Sequence, residues 1–392
     1  MKIVYILSST NVFGGASKAI VSLLKGLMKK EVKPIVVLPK TDGLYVSLSQ
    51  MGINVLAFPM RLNVYPKCDS LKNCLLFFPR LIYWLLLNEY SYIKLSKRLK
   101  DEHVDLIHTN VSVMNIGYRL AKKLHVPHVF HIREYADKDF NLHYFPSKKY
   151  FHDMFTSVGC HTICITKDVQ RCQKLDNNSS SNVIYDGVCP STSFPIWEKK
   201  RYFLYAGRIQ PGKGLFSLVR AYHDYIKAVD IVDVVPLFVA GEKSDSIYYS
   251  KISSYIENNN MSEKVLFLGP RKDLAELMQQ ALAIVIPSVR EGFGFCMTEA
   301  MFNGCLVIGH NTGGTKEQFD NGIQITGKEI GIRYETEEQL TGHLIAVAKN
   351  SPDMYSDMIE RAFSVVNKLY STEVCVENVY NLYKKILDGK YC

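Results

Sequence analysis

Short apolar runs alternate with longer amphipathic stretches along this chain, and this alternation restricts the fold more than any other feature. The runs recur at residues 3–7, 34–38, 53–58, 106–108, 128–131, 162–165, 202–206, 236–240, 265–268, 283–286 and 306–308. Between the first two runs, Ile20, Leu23, Leu24 and Leu27 form one helical stripe. Strands that alternate with helices predict parallel sheets with helices on both faces.

A stretch with Gly and Pro at residues 182–190 interrupts the alternation, which then restarts. A chain of 392 residues has room for two domains of ordinary size. We therefore predict an α/β protein with two Rossmann-like, doubly wound parallel-sheet domains, 1–187 and 188–370, followed by a helix within 371–392. A cleft between two such domains is a favoured place for a ligand.

Composition favours a soluble globular protein, with 47% hydrophobic and 22% charged residues. The apolar start of the chain is too short for a signal peptide and leads straight into a glycine loop. Ten cysteines without CxxC pairing predict reduced thiols in a cytoplasmic protein, and they form no zinc motif. The net charge of +9 favours anionic partners, but no nucleic-acid motif is present, so nucleic acid is not expected.

Residues 71–87 are the most apolar part of the chain. Pro79 and Arg80 break this stretch, which is too short for a comfortable transmembrane span. Four basic residues follow it: Lys94, Lys97, Arg98 and Lys100. Two interpretations stay open, a core helix with one strongly apolar face and a helix that lies on a membrane interface through residues 71–100.

Two carboxylates, Glu291 and Glu299, bracket the segment Glu-Gly-Phe-Gly-Phe-Cys-Met-Thr-Glu, which follows the apolar run at 283–286. This pattern predicts a buried strand, a turn through Gly292, Phe293 and Gly294, and the start of a helix. Ligands of open α/β sheets bind outside the carboxyl ends of the strands. Because carboxylates bind vicinal hydroxyls well, a ligand with two sets of hydroxyls, such as a nucleotide sugar, is expected.

The run at 202–206 leads into Gly207-Arg208-Ile-Gln-Pro-Gly-Lys213-Gly214, which nearly matches the phosphate loop of nucleotide hydrolases. Gly214 stands where that loop has the hydroxyl that holds Mg²⁺, so a hydrolase is disfavoured. A solvated loop is one interpretation of these residues. The other is that Arg208 and Lys213 clamp a diphosphate without a metal.

Two weaker signals lie in the first half of the chain. Gly14 and Gly15 follow the first predicted strand, either as a plain tight turn or as an anion site at a helix N-terminus. His131 ends the run at 128–131, either as a structural residue or as a hydrogen-bond donor that faces the cleft. Arg133 and Glu134, which follow it, are spaced for a local ion pair.

Two further segments are polar. Residues 309–317 form either a ligand-contacting loop with Glu317 or a turn before a helix capped by Thr315. Asp137 and Asp139 lie in a polar stretch, which predicts a solvated loop and no metal site.

Taken in order, Gly14-Gly15, Arg208 with Lys213, Glu291-x7-Glu299 and Gly313-Gly314 resemble family 4 of the retaining glycosyltransferases, which have the GT-B fold. The resemblance covers nearly the whole chain. It implies a metal-independent, cofactor-free enzyme that moves a sugar from a nucleotide-diphosphate sugar to a glycan or lipid-linked acceptor. The apolar, basic character of residues 71–100 favours a lipid-linked acceptor, with the enzyme in the cytoplasm or at the inner face of the cytoplasmic membrane, and bacterial polysaccharide or glycolipid biosynthesis is the corresponding expectation.

The resemblance also implies roles for single residues. Arg208 and Lys213 hold the donor diphosphate, Glu291 contacts the donor sugar, Glu299 holds the ribose and His131 faces the sugar. Donor-binding residues are Gly14, Gly15, Gly207, Gly292, Phe293 and Gly294. Residues 1–187 bind the acceptor, 188–370 bind the nucleotide sugar, and the helix in 371–392 packs back on the first domain. A GT-B epimerase, a phosphorylase and a non-catalytic nucleotide-sugar binder are the alternatives.

Overall fold

The structure is a computed structural model that describes residues 1–12, 14–137, 141–195 and 198–389. The chain divides into two compact units, Met1–Gly187 with Thr372–Cys392, and Val188–Ser371. Each unit has a parallel sheet and a hydrophobic core of its own. The two predicted doubly wound sheets are therefore confirmed.

The first unit contains a seven-stranded sheet in the order β3-β2-β1-β4-β5-β6-β7, with every neighbouring pair parallel. Its strands are β1 (Lys2–Ile6), β2 (Lys33–Leu38), β3 (Asn54–Ala57), β4 (Leu106–Thr109), β5 (His128–Ile132), β6 (Cys160–Cys164) and β7 (Ser181–Val183). Its helices are α1 (Gly15–Met28), α2 (Leu44–Gln50), α3 (Leu71–Leu75), α4 (Phe77–Leu99), α5 (Ile116–Leu124), α6 (Lys148–Phe155) and α7 (Lys167–Cys172). Helices cover both faces, so the central strands are buried throughout.

The second unit repeats this plan with six parallel strands in the order β10-β9-β8-β11-β12-β13. Its strands are β8 (Phe203–Ala206), β9 (Leu237–Ala240), β10 (Val265–Gly269), β11 (Ala283–Ile286), β12 (Val307–His310) and β13 (Ile332–Tyr334). Its helices are α8 (Leu215–Ala228), α9 (Ser246–Asn258), α10 (Leu274–Gln280), α11 (Phe295–Phe302), α12 (Gly313–Thr326), α13 (Glu337–Lys349) and α14 (Ser356–Tyr370). Short 3₁₀ turns cover Pro211–Lys213, Ile231–Asp233 and Pro352–Tyr355. In both units the first strand lies at the centre of the sheet, as in the Rossmann fold.

The last helix, α15 (Thr372–Leu387), belongs to the first unit. It buries Val376, Val379 and Leu382 in the same core as the predicted stripe of α1. Gly26 of α1 permits the close approach of the two helices. A Cβ there would lie 2.3 Å from a methyl group of Val376.

The apolar stretch 71–87 is not a core helix, and that interpretation is wrong. It folds as α3 and the first half of α4, none of its residues is buried, and several large apolar side chains are exposed, with Leu71 80% and Phe78 70% exposed. The buried side of α4 instead carries Asn88, Ser91, Leu95 and Leu99. No helix in the described part of the chain is both long enough and apolar enough to cross a membrane.

The expectation of fully reduced cysteines is also wrong. Cys68 and Cys74 form a disulfide where the chain enters α3. Their Cα atoms are 4.7 Å apart, within the range that a disulfide requires. Five residues lie between these two cysteines, so the pair does not have CxxC spacing.

Candidate functional site

The carboxyl ends of β8 and β11 lie side by side at the centre of the second sheet. The chain turns to one side after β8, toward β9, and to the other side after β11, toward β12. Loops that leave a parallel sheet in opposite directions open a crevice between them, which is where doubly wound proteins bind ligands. The segments 207–214 and 287–294, both predicted to contact the donor, are these two loops.

The central contact of this site joins the two loops directly. Lys213 Nζ lies 2.6 Å from Glu291 Oε1, and the same oxygen accepts a 2.7 Å hydrogen bond from Ser288 Oγ. Both charged side chains are largely but not fully buried, with 26% and 17% of their surface exposed. Sequence reasoning assigned Lys213 and Glu291 to different parts of a ligand. In the structure they bind each other.

Ser288 was missed by sequence reasoning. It is buried, and its backbone oxygen lies 3.2 Å from His310 Nδ1 at the end of β12. Its hydroxyl therefore holds the Glu291 carboxylate from a fixed position. A hydroxyl three residues before a glutamate in a loop has no periodicity that a single sequence could reveal.

Gly214 allows the two loops to pack closely. It follows the 3₁₀ turn at Pro211–Lys213, has a left-handed backbone (φ 71°), and precedes α8. A Cβ at this position would lie 1.8 Å from the carbonyl oxygen of Pro287. Val289 also donates its N–H to the Gly212 oxygen at 3.2 Å, so the second loop is fastened to the first. Gly214, which stands where a phosphate loop has its Mg²⁺-binding hydroxyl, therefore has a packing role.

Arg208 lies on the same loop as Lys213. Its side chain is exposed, and its carbonyl oxygen accepts a 3.0 Å hydrogen bond from the buried Tyr205 hydroxyl. A Cβ on Gly207 would lie 3.2 Å from that hydroxyl. The loop is therefore held by its backbone, while the guanidinium reaches solvent beside the crevice.

The Gly-Phe-Gly segment forms the predicted turn into a helix. Gly294 has φ 95° and precedes the first residue of α11, and the Gln318 amide donates to the Phe293 oxygen at 2.6 Å. The Phe293 ring is buried against Tyr370, with centroids 5.5 Å apart. Phe293 therefore stabilises the turn, and a contact of Gly292, Phe293 or Gly294 with the donor stays a prediction.

Glu299 lies in the second turn of α11 and is half-buried. Cys296, one turn earlier, donates its thiol hydrogen to the Ala206 oxygen at 3.3 Å. Burial raises the pKa of this thiol, and the nearby negative charges of Glu299 and Glu291 raise it further. The thiol of Cys296 therefore lies at the carboxyl end of β8 and is near enough to both carboxylates of the motif to experience their charge.

The segment 309–317 begins its helix earlier than predicted. α12 starts at Gly313 after the N-cap residue Thr312, so Thr315 is not the cap and is buried in the helix. Gly314 N–H donates to the Glu291 carbonyl oxygen at 2.7 Å, and a Cβ on Gly314 would lie 2.4 Å from the Phe293 oxygen. Glu317 is buried as well. This helix start supports the Glu291 backbone.

In the first unit, Gly14 and Gly15 lie where α1 begins, after the carboxyl end of β1. Gly14 has extended backbone angles and precedes the helix, and a Cβ there would meet only Ser17 Oγ, at 3.7 Å. The first turn of α1 has no acidic residue. Both the tight-turn and the anion-site interpretation fit this geometry.

His131 lies in β5 and is fully buried. Its Nδ1 is 3.3 Å from His108 Nε2, while His108 Nδ1 lies 2.7 Å from the Tyr383 hydroxyl of α15. His131 Nε2 is 3.9 Å from Asp186 Oδ1, beyond hydrogen-bonding distance. The ring does not reach solvent in this structure, so its contact with a donor sugar stays a prediction.

Arg133 does not form the local ion pair with Glu134. Its guanidinium hydrogen-bonds Asp186 and also donates to Asn110 Oδ1 at 2.8 Å. Glu134 instead accepts hydrogen bonds from the N–H and hydroxyl of Ser112, at 2.7 and 2.6 Å. The Glu134 carboxylate also accepts from the backbone N–H of Arg133 at 3.2 Å, so the two side chains of the expected local pair have other partners.

The buried histidines predict an acid-sensitive fold. Burial lowers the pKa of His108 to about 3, and it lowers the pKa of His128 and His131 well below 6.5. Below pH 6.5 the unfolded chain therefore binds more protons than the folded one. Burial raises the pKa of the Asp186 carboxyl, which opposes this by at most one proton. We expect the free energy of unfolding to fall between pH 7.5 and 5.5, approaching about 3 kcal/mol per pH unit.

Urea denaturation at each pH measures this slope. His108→Gln removes one of the protons that the unfolded chain takes up, so it should make the slope shallower by about 1.4 kcal/mol per pH unit. The control His125→Asn, at an exposed left-handed position, should leave the slope unchanged. A flat pH profile between 7.5 and 5.5 would contradict neutral buried histidines.

The described residues contain no group of three His, Cys, Asp or Glu side chains that could hold a metal ion. Asp137 lies 3.4 Å from Lys148 Nζ, and Asp139 lies outside the described residues. The metal-independent reaction remains a prediction.

A cavity of about 470 Å³ lies within the first unit, beside α4 and the start of α5. Its lining mixes apolar, amide, charged and aromatic side chains: Asn63, Leu85, Leu86, Asn88, Glu89, Asn115, Arg119, Phe145, Pro146 and Tyr150.

Residues 192–365 match the family Glycosyl transferases group 1. An uncharacterized glycosyltransferase of Methanocaldococcus jannaschii is 26% identical over 310 residues, which are 77% of this chain and 81% of that protein. The UDP-Gal:alpha-D-GlcNAc-diphosphoundecaprenol alpha-1,3-galactosyltransferase of Escherichia coli is 27% identical over 258 residues, covering 59% of this chain and 65% of that protein.

The crystal structure of HepE from Anabaena, in complex with UDP and glucose, is similar to this chain with a TM-score of 0.74. The match covers 98% of this chain and 100% of the other, at 16% sequence identity. At that identity the likeness shows the fold. Together with the two parallel sheets, it confirms the predicted GT-B fold.

Proposed function

Since this chain is a glycosyltransferase whose residues 192–365 belong to group 1, we propose that it transfers a sugar, with retention and without a metal, from a nucleotide-diphosphate sugar. The acceptor is a glycan or a lipid-linked saccharide. The observation that carries the proposal is the Lys213–Glu291 contact of 2.6 Å, formed by the two loops that leave the sheet in opposite directions.

The donor diphosphate takes the place of Glu291 beside Lys213. A phosphate oxygen accepts from the Lys213 ammonium, which releases Glu291 Oε1 for the hydroxyls of the donor sugar. Ser288 keeps hold of that carboxylate, so it stays oriented when its ion pair is lost. The exposed guanidinium of Arg208 supplies the second positive charge. Glu299, at the other end of the motif, binds the ribose.

The chemistry follows from where charge develops. When the bond between sugar C1 and the phosphate oxygen breaks, negative charge grows on the nucleotide diphosphate, and Lys213 and Arg208 stabilise it. The leaving phosphate then accepts the proton of the attacking acceptor hydroxyl on the same face of the sugar. This step needs no carboxylate nucleophile, which agrees with the proposed role of Glu291 as a hydrogen-bond acceptor for the hydroxyls of the donor sugar.

Two comparisons support the choice of substrates. HepE is described in complex with UDP and glucose, so a UDP-sugar is the first donor to test. The Escherichia coli relative is named for an acceptor linked to diphosphoundecaprenol, which supports a lipid-linked acceptor.

Nucleotide release tests the proposal. The protein is incubated with UDP-sugars, with and without lipid-linked saccharides, in buffer that contains EDTA, and NMR reports the anomeric configuration of the product. We expect acceptor-dependent release of UDP, unaffected by EDTA, and a product with the anomeric configuration of the donor. Binding is checked first by thermal shift, since a ligand at 100 times its Kd stabilises the fold by about 2.7 kcal/mol.

Three outcomes would contradict the proposal. Epimerised donor in the absence of acceptor would indicate an epimerase. Loss of turnover in EDTA that Mg²⁺ restores would exclude the metal-free reaction, and an inverted product would exclude retention.

A further inference from the structure

A row of large apolar side chains lies exposed on α3 and α4. We call it the α4 stripe, and it consists of Leu71, Leu75, Phe78, Ile82, Leu86, Tyr90 and Ile93, which are 47–80% exposed. We propose that the α4 stripe docks this protein on the anionic face of a lipid bilayer. The helices lie on that face and do not cross it.

As far as Ser91, α4 has the reverse polarity of an ordinary surface helix, whereas Leu95 and Leu99 near its end are buried in the usual way. Its buried side carries Asn88, whose amide exchanges two hydrogen bonds with the Arg61 backbone at 2.8 and 3.0 Å. Ser91 on the same side donates to the Pro59 oxygen. Successive residues of a helix are about 100° apart, so Ile82 and Leu86 point away from this side. The outer apolar residues contribute little to packing within the unit, and their apolar character needs another explanation.

The size of the stripe points to an interaction surface. From Phe78 to Ile93 it runs for about 22 Å along α4, at 1.5 Å per residue. Single exposed apolar residues are ordinary on protein surfaces, whereas a contiguous row of this extent marks a contact with another apolar phase. Tyr83 and Tyr90, 56% and 52% exposed, add rings with polar tips, which favour the boundary between headgroups and acyl chains.

Charge identifies that phase as an anionic bilayer. Residues 71–100 contain six basic side chains and one acidic one, Glu89, which pairs with Arg119 at 2.8 Å. Lys97 and Lys100 continue the stripe at the end of α4. Lys100 is five helical turns from Ile82 on the same side, since 18 residues at about 100° complete five turns. An apolar helical side that ends in lysines is the pattern of a helix lying on anionic lipid.

A second copy of the chain fits this surface poorly. A twofold contact is built from the same patch on both copies, so it brings the lysines of both copies into one interface, and Glu89, the one acidic residue of 71–100, already pairs with Arg119. Like charges brought together in an interface oppose association. An anionic lipid surface meets the same lysines with favourable charge and receives the apolar row as well.

The cavity of the first unit begins at the edge of the stripe. Leu85 and Leu86 line it together with Arg119 and Tyr150. A docked α4 therefore holds this opening close to the lipid headgroups. If the acceptor is lipid-linked, the enzyme meets it there, and only this last step rests on the proposed function.

Vesicle flotation tests the docking surface on the full chain without donor or acceptor. Wild-type protein should float with phosphatidylglycerol–phosphatidylcholine vesicles at low salt and bind pure phosphatidylcholine much more weakly. The variant Phe78→Glu/Ile82→Glu/Leu86→Glu should lower the partition coefficient at least about a hundredfold, since it replaces buried apolar area by charge. The matched control is Ile231→Glu/Val232→Glu/Ile247→Glu, at positions 77%, 87% and 83% exposed, and it should bind like wild type.

A second variant tests the charges alone. Lys94→Gln/Lys97→Gln/Lys100→Gln should lower binding to anionic vesicles by roughly a hundredfold, about fivefold per lysine. Lys29→Gln/Lys328→Gln/Lys349→Gln should have little effect. The proposal is wrong if wild type does not float, or if the stripe variant floats as well as its control. It is also wrong if the stripe variant only turns a dimer into a monomer in analytical ultracentrifugation. None of these outcomes bears on UDP-sugar binding, so the two proposals fail separately.

Discussion

Lys213→Ala is expected to lower kcat about 10²–10³-fold, the usual effect of removing one group that stabilises charge in a transition state. The ammonium lies in the crevice between β8 and β11, 2.6 Å from Glu291 Oε1. In the proposed reaction the donor diphosphate takes the place of that carboxylate. Steady-state kinetics with the UDP-sugar that the protein binds measures the effect.

Stability should hardly change in this variant. The ion pair is 26% and 17% exposed, and pairs that water reaches contribute little to folding. Lys227→Ala removes a comparable charge from the exposed pair with Asp224 in the same unit, and it should leave kcat unchanged. A Lys213→Ala protein that folds and turns over at the wild-type rate would remove this residue from the mechanism.

The second large effect is expected at Gly214, where Gly214→Ala should destabilise the fold by about 3 kcal/mol. The new Cβ would lie 1.8 Å from the Pro287 oxygen, a backbone atom that no side-chain rotation can move. Left-handed backbone adds about 1 kcal/mol for a residue with a Cβ, and overpacking about 1–3 kcal/mol. Urea denaturation measures the loss.

Gly212→Ala is the control from the same loop, because a Cβ at Gly212 would meet nothing within 4 Å. It should be nearly neutral for stability. The Gly214→Ala variant could instead relieve the clash by moving the 287–294 loop. In that case stability is kept and kcat falls, because Glu291 moves with that loop. Wild-type stability together with wild-type kcat in Gly214→Ala would show that the two loops do not pack this closely.

The sequence predicted most of the fold because its signal is repeated. Eleven apolar runs each mark a strand. Nine of these strands are largely buried, and the other two, β3 and β10, lie at sheet edges. Parallel strands that are covered on both faces produce such continuous apolar runs. The strands it missed, β7 and β13, are three residues long and lie at sheet edges. Because these two strands are only partly buried, they need few apolar residues, and the sequence shows no apolar run at either of them.

Side-chain partners were harder to predict, as two residues show. His131 was expected at the end of a strand, but β5 extends to Ile132, and the ring is enclosed with His108. Arg133 pairs with Asp186, 53 residues away, through a contact that only the packed sheet creates. Both outcomes depend on which side of a strand a side chain faces, and apolar content does not report that.

The sequence alone determined the two parallel sheets and the loops that meet at the centre of the second one. Local propensity and apolar periodicity carry that information. Only the tertiary structure decided that Lys213 and Glu291 form an ion pair, that Ser288 donates a hydrogen bond to the carboxylate, and that the apolar side of α4 faces outward. Those facts depend on contacts between residues far apart in the chain and on the direction of a helical face relative to the core, which arise only when the chain is packed.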